Sequence, residues 1–231
     1  RIPDPRTQAT QPTIESTLRV YNRYETDGVE IAGERVPLES EPSATLAYSL
    51  SRSRIWRFER FGILRGDLIS SEIEQPLTFL EPYRPGRIPV VFVHGTGSSP
   101  GRWADMINVL ANDRRLRGRF QFWFFFYDSG NAIPYSAMRL RQALSGAVDR
   151  LDPGHRDPAL QQMVVIGHSQ GGLLTHMTAI ESGDRFWKGI SSRPIDELYV
   201  SEETRELLRQ VFVFEPLPFV KSLVFIATPH R

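Results

Sequence analysis

The residues best equipped for chemistry stand in one run, Gly167-His168-Ser169-Gln170-Gly171-Gly172, a G-x-S-x-G pattern. A serine hydroxyl is a weak nucleophile until a base activates it, and the oxygen on which charge develops needs backbone donors aimed at it. Glycines on either side of Ser169 permit the sharp strand-to-helix turn that lifts the hydroxyl out of a sheet. Alone the pattern is weak, since three specified residues at roughly 7% abundance each recur by chance in about one chain in ten of this length. Its surroundings make it specific. Met163-Val164-Val165-Ile166 precedes it as an apolar strand, and Gly172 to about Ile180 follows as a helix. A second Gly-rich turn, His94-Gly95-Thr96-Gly97, closes an earlier apolar strand. The positions able to donate N–H groups to an oxyanion are the residue after the serine, Gln170, and the loop after that earlier strand, at Thr96.

The other polar candidates have plainer readings. There is no cysteine, so thiolate nucleophiles, thiolate metal sites and disulfides are excluded, while the redox compartment stays open. His155 and His176 lack metal-ligand spacing such as H-E-x-x-H, so no metal is expected. His94 and His168 flank the serine and read as packing or hydrogen-bonding residues of the turns. Asp128 would serve as a triad acid only if the chain order were unusual.

These groups need elements to hold them. Pro85-Gly86 is a turn signal, followed by the strand Ile88–Val93. Ser99-Pro100 opens a helix whose apolar face is expected at Trp103, Met106, Ile107 and Leu110. Phe122–Tyr127 reads as a second strand, and Ala137, Leu140, Leu144, Val148 and Leu151 mark a second helix. A fourth strand is expected over Leu223–Ile226. Uniformly apolar strands alternating with helices imply a mostly parallel sheet covered by helices on both faces. Residues 1–80 read as a polar, Pro-containing arm to about Pro12 and then an irregular region with apolar patches at Leu18–Tyr21 and Val29–Ile31 and a helix near Ala44–Leu50. Residues 81–231 read as the α/β core.

Composition agrees. Over 231 residues, 40% are hydrophobic and 24% charged, as in ordinary globular proteins. Lys+Arg of 28 against Asp+Glu of 27 gives a net charge of +1, which supplies no electrostatic reason to expect nucleic acid or an anionic membrane as partner. The apolar runs at 122–127 and 90–93 fall far short of the roughly 20 residues of a transmembrane helix. The chain begins at Arg1 without a charged segment and apolar stretch, so any targeting peptide is expected outside it, and the compartment stays open.

The motifs Val93-His94-Gly95-Thr96-Gly97, Gly167-His168-Ser169-Gln170-Gly171-Gly172 and Ala227-Thr228-Pro229-His230 resemble those of the α/β-hydrolase superfamily, in particular its lipases and esterases, over about residues 88–231. The resemblance implies an α/β-hydrolase fold, Ser169 as nucleophile, Thr96 and Gln170 as the oxyanion hole, and cofactor-free cleavage of a small-molecule or lipid ester. It also implies that the Thr96 hydroxyl can donate to the oxyanion. The family order of serine, then acid, then histidine leads to the expectation that the triad acid and histidine lie beyond Arg231, with the last strands of the sheet. His230 then reads as part of a turn. Residues 181–219, with a helix begun by Ser201-Glu202-Glu203 and an apolar run Phe212–Phe219, form a candidate cap over an acyl pocket. Two other readings stand beside this one. Gly95–Gly101 could cradle a dinucleotide, although it departs from G-x-G-x-x-G by one residue and leaves the Ser169 run unexplained. The chain could also be a non-catalytic binding module on a hydrolase scaffold.

Overall fold

The computed structural model describes residues 17–21, 26, 28–38, 43 and 76–229. The helix expected near Ala44–Leu50, and His230, lie outside these residues. The chain divides into two compact units, Arg1–Pro42 and Ser43–Arg231.

In the first unit, β1 (Gly28–Ile31) and β2 (Glu34–Pro37) form an antiparallel hairpin, with Ile31 opposite Glu34. Its two-residue loop is Ala32-Gly33, at φ 52° and 82°. Positive φ at both positions matches the right-handed twist of the strands, and it is why glycine occupies the second.

The second unit holds a five-stranded sheet in the order β3-β5-β4-β6-β7. Its strands are β3 (Leu77–Phe79), β4 (Ile88–Val93), β5 (Phe120–Phe125), β6 (Met163–His168) and β7 (Val220–Ile226). All neighbours are parallel except β3, which runs antiparallel to β5. Strand β3 thus brings residues 77–79, which read from sequence as part of the irregular region, into the sheet.

Alternation along the central strands builds two cores. Val91 and Val93 of β4, Trp123 and Phe125 of β5 and Met163 and Val165 of β6 face one side. There they pack on α3 (Ile133–Leu151) and α4 (Gln170–His176), through Ala137, Leu140, Leu144, Val148 and Leu174. Val90, Phe92 and Phe122 face the other side and meet Trp103, Ile107 and Ala111. Ile107 and Ala111 belong to α1 (Ala104–Asn112), entered through a 3-10 turn at Pro100–Trp103 that the Ser99 hydroxyl caps by accepting the Gly101 N–H at 3.2 Å. Both faces of the sheet are therefore covered, which is why its strands read as unbroken apolar runs. This is the mostly parallel sheet with helices on both faces that the alternation of elements predicts.

One local expectation is corrected. Met106, expected on the buried face of α1, is 38% exposed, because the stripe that meets the sheet is Trp103, Ile107 and Ala111. A short helix, α2 (Arg114–Arg119), starts where the Asp113 carboxylate accepts the N–H groups of Arg115 and Leu116. Strand β7 (Val220–Ile226) is the outermost described strand on the β6 side of the sheet. Among the described residues it pairs with β6 alone, and Lys221, Ser222 and Val224 are exposed.

Between α4 and β7 lie α5 (Arg185–Lys188), a 3-10 turn at Ile195–Glu197, and α6 (Glu202–Phe212), whose N-cap Ser201 accepts the Thr204 N–H as its sequence position predicts. The stems of this excursion are tied together, Ser182 N to Phe214 O at 3.0 Å and Leu217 N to Thr178 O at 2.8 Å. They lead into Val220, which sits opposite Met163 at the start of β6, whereas Ser169 follows the end of that strand. Phe214 and Phe219 are buried in the α3/α4 core. The Arg141 guanidinium of α3 lies 3.7 Å from the Phe214 ring centroid and donates to the Gln210 carbonyl.

Candidate active site

Strand order decides which loops meet. From β4 the chain crosses one face through α1 to reach β5 on one side. It then returns over the other face through α3 to β6 on the opposite side of β4. The order therefore reverses between β4 and β6, and the helices that follow these two strands leave toward opposite faces. Open α/β sheets bind ligands at the carboxyl ends of strands that flank such a reversal. The two turns singled out in the sequence are those that flank it. Val93 lies opposite Gly167 in the parallel register, so the next residues bring the Gly95-Thr96 turn beside Ser169.

Ser169 connects β6 to α4 at φ 51° and ψ −122°. L-residues avoid this region, at a cost of order 1–3 kcal/mol, unless the surroundings impose it. Here they do. Its N–H donates to the Ile226 carbonyl at 2.9 Å, and its own carbonyl accepts the Gly172 N–H at 3.0 Å. The turn also closes too tightly for side chains. A Cβ at Gly171 would run into the carbonyl oxygens of Val93 and His94, and one at Gly167 would lie 2.6 Å from the Gly171 oxygen. These glycines let the first turn of α4 rest on the end of β4.

Thr96 and Gln170 are brought together. The Thr96 hydroxyl donates to Gln170 Oε1 at 2.6 Å, and Gln170 Nε2 donates to the Ser129 carbonyl at 3.2 Å. Ser129 lies in the loop after β5, and its hydroxyl accepts the Gly97 N–H at 2.9 Å. No motif points to Ser129. The only available signal is its place after a strand that neighbours β4, where a loop must open at the same edge.

The histidines take the structural parts their sequence positions suggest, or stand apart. His94 is 1% exposed and stacks on Tyr127 with ring centroids 4.4 Å apart. Its Nε2 accepts the Tyr127 N–H at 3.4 Å, so Nδ1 carries the proton and donates to the Gly95 carbonyl at 2.9 Å. The Tyr127 hydroxyl closes the cluster by donating to the His94 carbonyl. Burial lowers the His94 pKa from 6.5 to about 4, so the ring is neutral. Burial also raises the Tyr127 phenol far above its usual range. His168 meets the Trp103 ring edge-on at 6.4 Å, and His176 meets Phe225 in the same way at 6.1 Å. The Asp128 carboxylate accepts the Gly130 N–H at 2.8 Å within its own loop. Among the described residues, no hydrogen bond joins Ser169 to a histidine or Asp128 to one, and no cluster of His, Asp or Glu could hold a metal ion. No helix among them is long and apolar enough to cross a membrane.

No protein-family description and no curated protein matches the chain. Solved structures that resemble it include an acetyl xylan esterase in an iodinated complex, at 18% identity and a TM-score of 0.35, covering 63% of this chain and 64% of that one. A lipase of Bacillus licheniformis in mature form matches at 14% identity and a TM-score of 0.35, covering 63% of this chain and 69% of the lipase. The chain therefore spans less than two thirds of the esterase's length.

Proposed function

We propose that this chain carries the nucleophile and oxyanion hole of a serine hydrolase acting on carboxylic esters. The observation that carries the reading is Ser169 held at φ 51° in a strand-to-helix turn, beside the Thr96 loop at the point where strand order reverses. A strained serine between a strand and a helix has the form of a nucleophile elbow, which lifts the hydroxyl clear of the sheet. In the proposed reaction Ser169 Oγ attacks the acyl carbonyl while a histidine takes its proton. The N–H groups of Thr96 and Gln170 receive the oxyanion, and collapse of the tetrahedral intermediate expels the alcohol, which the same histidine protonates. Water activated by that histidine then cleaves the acyl-serine ester and restores the hydroxyl. The reading requires this histidine and an Asp or Glu behind it, and it assigns neither among the described residues. Both nitrogens of His94 are already occupied, so His94 is not that base.

The test is covalent labelling of the full-length protein by a fluorophosphonate, with peptide mapping of the adduct, alongside hydrolysis of p-nitrophenyl acetate and longer acyl esters. Labelling should map to Ser169, and Ser169→Ala should lower kcat by several orders of magnitude, on the order of 10⁶ where a complete triad operates. Full turnover by Ser169→Ala would refute the assignment. Saturable binding of NAD(P)H would instead favour the dinucleotide reading, and absence of both labelling and turnover the binding module.

A further inference from the structure

Thr96 is flanked by Gly95 and Gly97, the residues least able to hold a backbone in one orientation. An oxyanion donor, however, has to be in place before charge develops. Something outside the loop must hold it. The amide of Gln170 has only one workable orientation. Its Nε2 faces the Ser129 carbonyl, which can only accept, so Oε1 faces Thr96 and the Thr96 hydroxyl must be the donor. In the site without ligand, that hydroxyl proton is therefore directed at Gln170. Ser129 is bonded to both loops at once, to the β4 loop through Gly97 and to the turn after β6 through Gln170.

Resting on the assignment of Ser169 above, we propose that Ser129 is a positioning residue for the oxyanion hole: it bridges the two loops that carry the Thr96 and Gln170 N–H groups and fixes their separation. Ser129 itself touches no reacting atom. Its hydroxyl anchors Gly97, and its carbonyl orients the Gln170 amide, which in turn holds Thr96 through its hydroxyl. Donation to the oxyanion then falls to the backbone N–H groups alone. Because the oxyanion develops on the way to the tetrahedral intermediate and is absent from the bound ester, loosening this bridge lowers kcat and leaves KM nearly unchanged.

The experiment compares Ser129→Ala, Ser129→Thr and Gln170→Leu with the unmodified full-length protein, measuring kcat, KM, thermal unfolding and the second-order rate of fluorophosphonate labelling. Loss of a whole oxyanion donor costs roughly 10²–10³ in kcat, so a misaligned one should cost about tenfold. Ser129→Ala should show that loss with KM within about twofold, and labelling should slow by the same factor. Ser129→Thr keeps the hydroxyl oxygen and should restore most of the rate. Gln170→Leu cuts the other half of the bridge while keeping its N–H, and should also lower kcat. Combined with Ser129→Ala it should lower the rate by less than the product of the two single effects. The proposal is overturned if Ser129→Ala turns over and labels as fast as the unmodified chain, if Ser129→Thr fails to restore the rate, or if the loss merely tracks the fraction unfolded. Turnover that survives Ser169→Ala removes the nucleophile assignment and the bridge with it. Turnover lost in Ser169→Ala but unchanged in Ser129→Ala removes the bridge alone.

Discussion

His94 gives the stability of the fold a predictable dependence on pH. Its ring is 1% exposed, with Nδ1 donating to one backbone group and Nε2 accepting from another. Protonation would place a charge in an apolar site and set an N–H against the Tyr127 N–H. Burial accordingly lowers its pKa from 6.5 to about 4. Above pH 6.5 the ring is neutral both folded and unfolded, and the difference has no effect. As pH falls below that value, the unfolded chain takes up a proton that the folded chain refuses, so stability is lost down to the folded pKa. A tenfold difference in proton affinity between the two states is worth about 1.36 kcal/mol, giving a loss of about 2 kcal/mol by pH 5 and a ceiling of roughly 3 kcal/mol. Carboxylates titrate in the same window, so the measurement is a difference between two proteins. Urea unfolding at pH 7.5 and pH 5 should be compared for the unmodified chain and for His94→Gln, whose amide does not titrate. The variant will be less stable at pH 7.5, but the gap should narrow by about 2 kcal/mol at pH 5. Parallel pH profiles, or a histidine NMR spectrum in which all five rings titrate near 6.5, would refute the reasoning.

Three further outcomes follow from packing. Gly171→Ala should destabilise the fold by about 1–3 kcal/mol in urea unfolding, because its Cβ meets the backbone oxygens of Val93 and His94, which cannot yield. Gly146→Ala should stabilise it by about 0.4–1 kcal/mol, since Gly146 lies inside α3 with no atom near an added Cβ. Arg141→Met should cost less than about 1 kcal/mol or stabilise the fold. The buried guanidinium has one amino group without a partner among the described residues and a pKa lowered to about 10 by desolvation, so removing the charge relieves a burial cost while Met keeps contact with Phe214.

Periodicity and punctuation make the central elements legible in the sequence. The strands Ile88–Val93 and Met163–His168 are apolar because both their faces are covered, and the spacing of Ala137, Leu140, Leu144 and Val148 is the helical stripe that covers one of them. The Ser169 turn is readable for a related reason: backbone passing this close to backbone tolerates little but glycine, and that leaves a mark in the residue types. Short elements leave weaker marks. Strand β3 has three residues and α2 has six, too few for a period to show. The position of residues 181–219 is equally hidden, since the bonds of Ser182 to Phe214 and of Thr178 to Leu217 join distant residues with no local signature. Which two turns face each other depends on strand order, a property of the assembled sheet. Ser129 shows this most clearly, being an ordinary loop residue that acquires its two partners, Gly97 and Gln170, only when β5 lies beside β4 and β4 beside β6. The type and spacing of residues thus determined the local elements and the strained turn. Only tertiary structure decided which hydrogen-bonding groups converge, because that convergence is set by contacts between residues far apart in the chain.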